Sequence, residues 1–198
     1  DLQEIENDLR DLGFKISPLN TMKRKSFITK NGTKRAIEGI SYQKSISSTP
    51  LYSLLKALGV PVGDKANQGY MVPKWVKEGP LWVKEEFLSA FFGSELEKPR
   101  LKDKTFMPLC LSQNKTEKNV LKGKQFLKEI MEILKEFGVQ TTPIKVNNAI
   151  IRKNGQKTFS LKFYIRSNHQ NLMNFFGKVS YKFSVERQTL ARQAFQYL

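Results

Sequence analysis

The sequence is poor in the residues that would cross-link it or bind a soft metal. Of its 198 residues, one is cysteine, Cys110, and one is histidine, His169. A single thiol excludes an internal disulfide and a cysteine-based zinc site, and a single imidazole excludes a histidine cluster. Any catalytic metal must therefore be held by oxygen. No apolar run approaches the ~20 residues that a membrane-spanning helix needs, and no signal peptide opens the chain, so a cytoplasmic protein with no membrane partner is expected. Acid is also scarce: 18 Asp and Glu stand against 34 Lys and Arg, a formal charge of +16. That exceeds what solubility requires and implies a polyanionic partner. Membrane-surface segments concentrate their bases in one helix or cluster, whereas here they run the length of the chain, which favours nucleic acid in a long groove. The first residue is Asp1 rather than Met, so the chain is expected to be cut from something longer.

What is present is a hydrophobic fraction of 39%, enough for one sizeable domain or two small packed halves, together with an internal repeat. The stretch "IENDLRDLGFKISPL" from Ile5 matches "IMEILKEFGVQTTPI" from Ile130 in apolar spacing and in Gly13 and Gly138. Both read as an amphipathic helix stopped by a C-terminal glycine. Each leads to a basic strand, an Asn-Gly turn (Asn31-Gly32; Asn154-Gly155) and a second strand, the strongest short hairpin signal. Similar helices come next, "STPLYSLLKALG" from Ser48 and "NHQNLMNFFG" from Asn168. A duplicated structural unit without chemistry would give the same pattern.

The hairpin strands interleave bases with apolar residues. The first carries Lys23, Arg24, Lys25, Lys30, Lys34, Arg35 and Lys44, and the second Lys145, Arg152, Lys153, Lys157, Lys162 and Arg166. Alternation in a strand puts one face on a core and leaves the other positive, and a two-stranded ribbon of that kind fits the DNA major groove. An ordinary solvated sheet face is the plainer alternative, but acids are nearly absent from these stretches.

Between the repeats lies "MVPKWVKEGPLWVKEEFLSAFFGSE", residues 71–95. Pro73, Gly79 and Pro80 mark a linker, and a helix is expected over about 83–95. Its small residues Ser89, Ala90 and Gly93 would let another helix approach closely. Glu95 then places an acid at the helix C-terminus, against the macrodipole, which implies a metal or another cation beside it.

The segment "LSAFFGSEL", Leu88–Leu96, resembles the LAGLIDADG (dodecapeptide) motif of homing endonucleases. The preceding "VPKWV…LWVKEEF", the later "LSQNKTEKNVLKGKQFLKEIMEILKEFGV" and the closing "YKFSVERQTLARQAFQYL" are similar to archaeal and intein-encoded members, so the resemblance covers nearly the whole chain. It implies an α+β fold: a duplicated αββαββα saddle of antiparallel sheets with helices on one face. The first half, incomplete at its N-terminus, would be 1–77 and the second 78–198. The family's catalytic acid falls on Glu95, while Gly93 and Leu96 depart from the motif. The implied activity is site-specific cleavage of double-stranded DNA. Glu95 would hold Mg²⁺, and Lys44 and Arg166 would stand for the family's water-polarising lysines. The DNA-binding residues would be those of the two ribbons, with RNA a second possible partner.

Only one signature helix is in the sequence. Three arrangements fit that fact: a fragment lacking an upstream partner helix, a chain that pairs its Glu95 helix with a second copy, or a protein that binds nucleic acid without cutting it. An unpaired signature helix would expose Phe91 or Phe92. The chemistry of protein splicing is expected to lie outside this chain.

Overall fold

Three helices end in the same way because the chain turns left-handed at a glycine. Helix α1 (Leu2–Asp11) is stopped at Gly13, φ 83°. There the Gly13 N–H donates to Arg10 O (2.8 Å) and the Phe14 N–H reaches back to Leu9 O (3.0 Å). That pair of bonds closes a Schellman turn and satisfies carbonyls the helix would leave open. Strands β1 (Asn20–Lys30) and β2 (Thr33–Gln43) come next as an antiparallel ribbon, in register from Asn20↔Gln43 to Lys30↔Thr33. Helix α2 (Thr49–Ala57) ends at Gly59, φ 92°, with the same bonds, Gly59 N–H to Lys56 O and Val60 N–H to Leu55 O.

This computed structural model describes residues 1–30, 33–147, 149–152 and 155–198; of Ser26, Ile28, Thr29, Lys30, Thr33 and Lys34 it describes the backbone. The expected Asn31-Gly32 turn, Asn154, and Lys153 lie outside the described residues, as do the side chains of Lys30 and Lys34. The chain forms two compact units, 1–52 and 53–198, with the boundary inside α2.

In the first unit Glu6 is the one buried residue among those described. The ribbon does not separate into an apolar and a basic face as expected. Opposed pairs share a face, and that rule groups Lys23 with Ile40 and Lys25 with Glu38, with Arg24 and Ile37 on the reverse. Bases and apolar side chains are thus mixed on both sides.

The second unit has a core. After helix α3 (Lys74–Lys77) comes α4 (Leu81–Glu95), then a tight hairpin of β3 (Leu101–Lys102) and β4 (Thr105–Phe106). Its two-residue turn has Asp103 at φ 49° and Lys104 at φ 62°, the mirror-image geometry that matches strand twist. Then come β5 (Leu109–Thr116), α5 (Val120–Glu136), β6 (Lys145–Val146), β7 (Ile150–Ile151), β8 (Lys157–Ile165), α6 (His169–Lys178) and α7 (Val185–Tyr197). Strand β8 is central, antiparallel to β5 on one side and to β6 and β7 on the other. The architecture is α+β with antiparallel sheets, and no helix among the described residues is long and apolar enough to cross a membrane.

Alternation holds from Leu161 to Ile165 of β8 and from Leu109 to Lys115 of β5. Leu161, Phe163 and Ile165 of β8 and Leu111 of β5 are fully buried, in one core with Leu88 and Phe92 of α4, Leu127, Ile130 and Leu134 of α5, and Phe175 of α6. Helix α5 ends at Gly138, φ 74°, with Gly138 N–H on Lys135 O and Val139 N–H on Leu134 O, reproducing the end of α1.

The small residues of α4 have a different use from the one expected. A Cβ on Gly93 would lie 1.7 Å from Lys182 O, and the Lys182 N–H donates to Ser89 O (2.8 Å). The seam thus receives the chain's own 182 segment rather than a second helix. Phe92 is fully buried against Phe175, and Phe91 is half-buried between Phe87 and Phe126, so neither is left exposed. Leu96, where the motif has glycine, leaves the helix in extended conformation (φ −87°, ψ 144°) and enters the core, so this exit requires no left-handed residue.

Candidate nucleic-acid interface and the Glu95 cleft

Glu95 is the last residue of α4, and that helix has no base in its final turn. The cation opposing its charge comes from outside the helix: Lys65 Nζ lies 3.2 Å from Glu95 Oε1. Lys65 is carried by a short 3₁₀ turn, 65–67, capped by Asp64, whose Oδ1 accepts the Ala66 N–H (2.9 Å). The other Asp64 oxygen accepts from Asn67 Nδ2 (2.9 Å) and pairs with Arg152 at 3.4 Å. Asp64, Lys65, Ala66, Glu95 and Arg152, with Tyr70, Ser112, Gln113 and Asn114, line an open cleft of about 230 Å³. Burial raises the Tyr70 phenol, the Glu95 charge raises it further, and the Gln113 amide opposes both. Gln113 is 8% exposed and its Oε1 has no hydrogen-bond partner among the described residues.

The outward row of the sheet begins beside the cleft. Lys145 of β6 sits directly opposite Lys162 of β8, and Lys162 opposite Ser112 of β5. Like charges in directly opposed positions disfavour the free sheet, and an anion laid across them removes the penalty. The Ser112 and Ser160 hydroxyls meet at 2.9 Å in the same row, and Asn114 faces Ser160. Lys157, exposed at the start of β8, pairs loosely with Glu117 (3.7 Å).

No family model matches the chain. Over its whole length it is similar to segments of three archaeal proteins with different names. It is 38% identical over 201 residues to DNA-directed RNA polymerase subunit Rpo1N of Methanocaldococcus jannaschii, of which it covers 14%. It is 34% identical over 200 residues to tRNA-splicing ligase RtcB of Pyrococcus furiosus, covering 19%. It is 32% identical over 200 residues to the Replication factor C small subunit of M. jannaschii, covering 10%. The chain thus spans less than a fifth of the length of each of these curated relatives, and all of it is matched each time.

Of the residues singled out from sequence, Glu95 and Arg152 share the cleft, while Arg166 is held elsewhere, its Nε on Thr141 O at 3.3 Å. Lys44 belongs to the first unit, where its ammonium and Arg10 (2.7 Å) both bind Glu6 and hold that carboxyl below its ordinary range. Lys23, Arg24 and Lys25 line a groove on the ribbon with Glu38, Gly39 and Ile40, and Arg35 is exposed farther along β2. Sequence reasoning did not find Asp64, Lys65 or Gln113. The first two lie in a linker with no periodic signal. Gln113 was legible, since Leu109, Leu111 and Gln113 share one face of β5.

The repeat reappears in the hydrogen bonds. Four residues after Gly13, the Ser17 N–H donates to Ser45 O (2.9 Å) and its Oγ accepts the Ser45 N–H (2.8 Å). Four residues after Gly138, the Thr142 N–H donates to Tyr164 O (2.8 Å) and its Oγ1 accepts the Tyr164 N–H (3.1 Å). Proline is the next residue in both copies, Pro18 and Pro143.

Proposed function

We propose that this chain is the nuclease part of a mobile insertion, a LAGLIDADG-type homing endonuclease of the intein-encoded kind that cuts double-stranded DNA at a specific site with Mg²⁺. The observation that carries this reading is Glu95 at the end of α4, opening into a cleft beside a sheet face with Lys145, Lys162 and Arg152. Recurrence of the same ~200 residues in a polymerase subunit, a ligase and a replication factor supports it. A segment common to proteins with three different named activities is expected to have an activity of its own. The shared Ser17 and Thr142 bonding supports the duplicated saddle.

The oxygen donors of the cleft, Glu95, Asp64 and Gln113 Oε1, are of the kind a hard divalent ion takes. Glu95 would hold the ion, which supplies charge neutralisation and an acidified water at a scissile phosphate. Lys65 and Arg152 draw the phosphate in, and the outward row of β5 and β8 meets base edges and backbone.

A second reading, a protein that binds DNA or RNA without cutting, is favoured by the Lys65 ammonium, which already neutralises Glu95. Plasmid carrying the insertion site of the gene, incubated with the full-length protein and Mg²⁺, separates the two. Cutting at one site, reduced roughly 100-fold or more by Glu95→Gln with binding retained, is the expected result. Binding without cutting leaves the second reading alone.

A further inference from the structure

Lys115 is a fully buried lysine that the proposed reaction does not use. It continues the inward row of β5, Leu109, Leu111, Gln113, and is 1% exposed. Its Nζ donates to Lys65 O (2.8 Å) and Gln68 O (3.0 Å) and lies 3.7 Å from the centre of the Tyr70 ring. Its neighbour Thr116 donates to Ala66 O (3.2 Å) and is itself held by Asn119. Three carbonyls of the 65–68 segment are therefore bound from β5.

Room for this lysine is built into α5. Gly123 stands inside that helix, where glycine is disfavoured relative to alanine. A Cβ there would meet Lys115 Cγ at 2.7 Å and Leu161 Cδ1 at 2.6 Å. Helix stability is given up to admit the lysine stem, and a buried ammonium is desolvated to reach two carbonyls. The turn it holds carries Lys65, which pairs with Glu95 in the cleft, and directly follows Asp64, which pairs with Arg152.

We propose that Lys115 is a positioning residue for the Glu95 cleft: it fixes the 65–68 turn from beneath, and through that turn sets Lys65 against Glu95. The inference rests on reading Glu95 as the acid of the reaction. Lys115 does not touch the reacting groups. It decides where the turn that carries Lys65 lies, as a support holds a site within the narrow tolerance that function needs.

The test combines hydrogen exchange with a double-mutant cycle in the full-length protein, using Lys115→Met, Lys65→Met and the double variant. In Lys115→Met, amides 65–69 should exchange about tenfold faster or more, while those of α5 and β8 keep their wild-type rates. Single-turnover cleavage at saturating protein should fall about tenfold in either single variant, with DNA affinity within about twofold in Lys115→Met, and the double variant should be no slower than Lys65→Met. Unchanged exchange at 65–69, equal acceleration throughout the unit, or losses that multiply in the double variant would each overturn the inference. If Lys115→Met folds poorly, Lys115→Arg, which keeps the charge but not the reach of the ammonium, takes its place in the cycle and in the exchange measurement. A wild-type protein that does not cut overturns the nuclease reading instead, and the exchange measurement still decides whether Lys115 holds the turn.

Discussion

Lys44 and Glu6 form an ion pair where the second unit keeps Phe163 and Met131. The alignment of Gly13 with Gly138 sets Glu6 against Met131, and the shared bonding of Ser45 and Tyr164 sets Lys44 against Phe163. The two apolar residues belong to the core of their unit, Phe163 fully buried and Met131 packed against it. Lys44, 18% exposed at its side chain, therefore takes an inward position. Either single change, Lys44→Met or Glu6→Gln, should lower the melting temperature, because Glu6→Gln takes the carboxylate from the Lys44 ammonium and Lys44→Met leaves the buried Glu6 carboxylate with Arg10 alone. The double change Glu6→Met with Lys44→Phe should recover most of the loss. Because the Glu6 carboxyl is held low, its contribution is present at neutral pH and lost as pH falls through its folded-state range, so acid melts should separate wild type from the double variant.

Gly93→Ala should be among the costliest small changes in the chain. The added methyl meets the Lys182 backbone rather than a side chain that could rotate away, and a loss of about 2–3 kcal/mol in urea unfolding is expected. Gly39→Ala, where a Cβ has nothing within 4 Å, should change stability by less than about 0.5 kcal/mol. Equal effects at the two sites would mean that the α4 seam is looser than described.

Alkaline stability should identify Lys115. Burial first, and the Lys65 charge second, bring its ammonium down to about 8, with Asp64 opposing. The unfolded chain keeps that proton until pH reaches ~10.5, so between the two values the unfolded state binds more protons and stability rises with pH. The rise should be on the order of 1–3 kcal/mol, absent below pH 8 and missing from Lys115→Met. Parallel pH profiles for the two proteins would show that Lys115 titrates normally.

Salt should report on the outward row. Lys162→Ala should weaken DNA binding and reduce the slope of log affinity against log salt by about one, with the free protein no less stable because a like-charged pair is removed. An unchanged slope would place Lys162 off the phosphate path.

Element boundaries were legible wherever one physical cause dominated. Gly13 and Gly138 ended their helices as their spacing implied, and the helix expected over 83–95 runs from Leu81 to Glu95. The parallel between Gly59 and Gly177 failed. Gly59 is a left-handed stop, whereas Gly177 lies inside α6 with its Cβ position 3.0 Å from Phe195, and that chain turns at Ser180, φ 58°. A glycine needed for packing and one needed for its backbone look the same in sequence. The partner of the Ser89 and Gly93 seam was hidden because it is a loop backbone, which carries no residue pattern. The signs of Lys115 were present, a period-two row through β5 and a glycine at a helix position that disfavours it, but a lysine among bases does not announce that it is buried.

The alternation from Leu161 to Ile165 of β8 also bears on how such a protein can change over evolutionary time. Leu161, Phe163 and Ile165 hold the strand to its core. The intervening Ser160, Lys162 and Tyr164 are half-buried on the opposite face and stand outside that core. A lineage of such proteins could alter what its outer surface recognises one side chain at a time, while the structure beneath it stays the same.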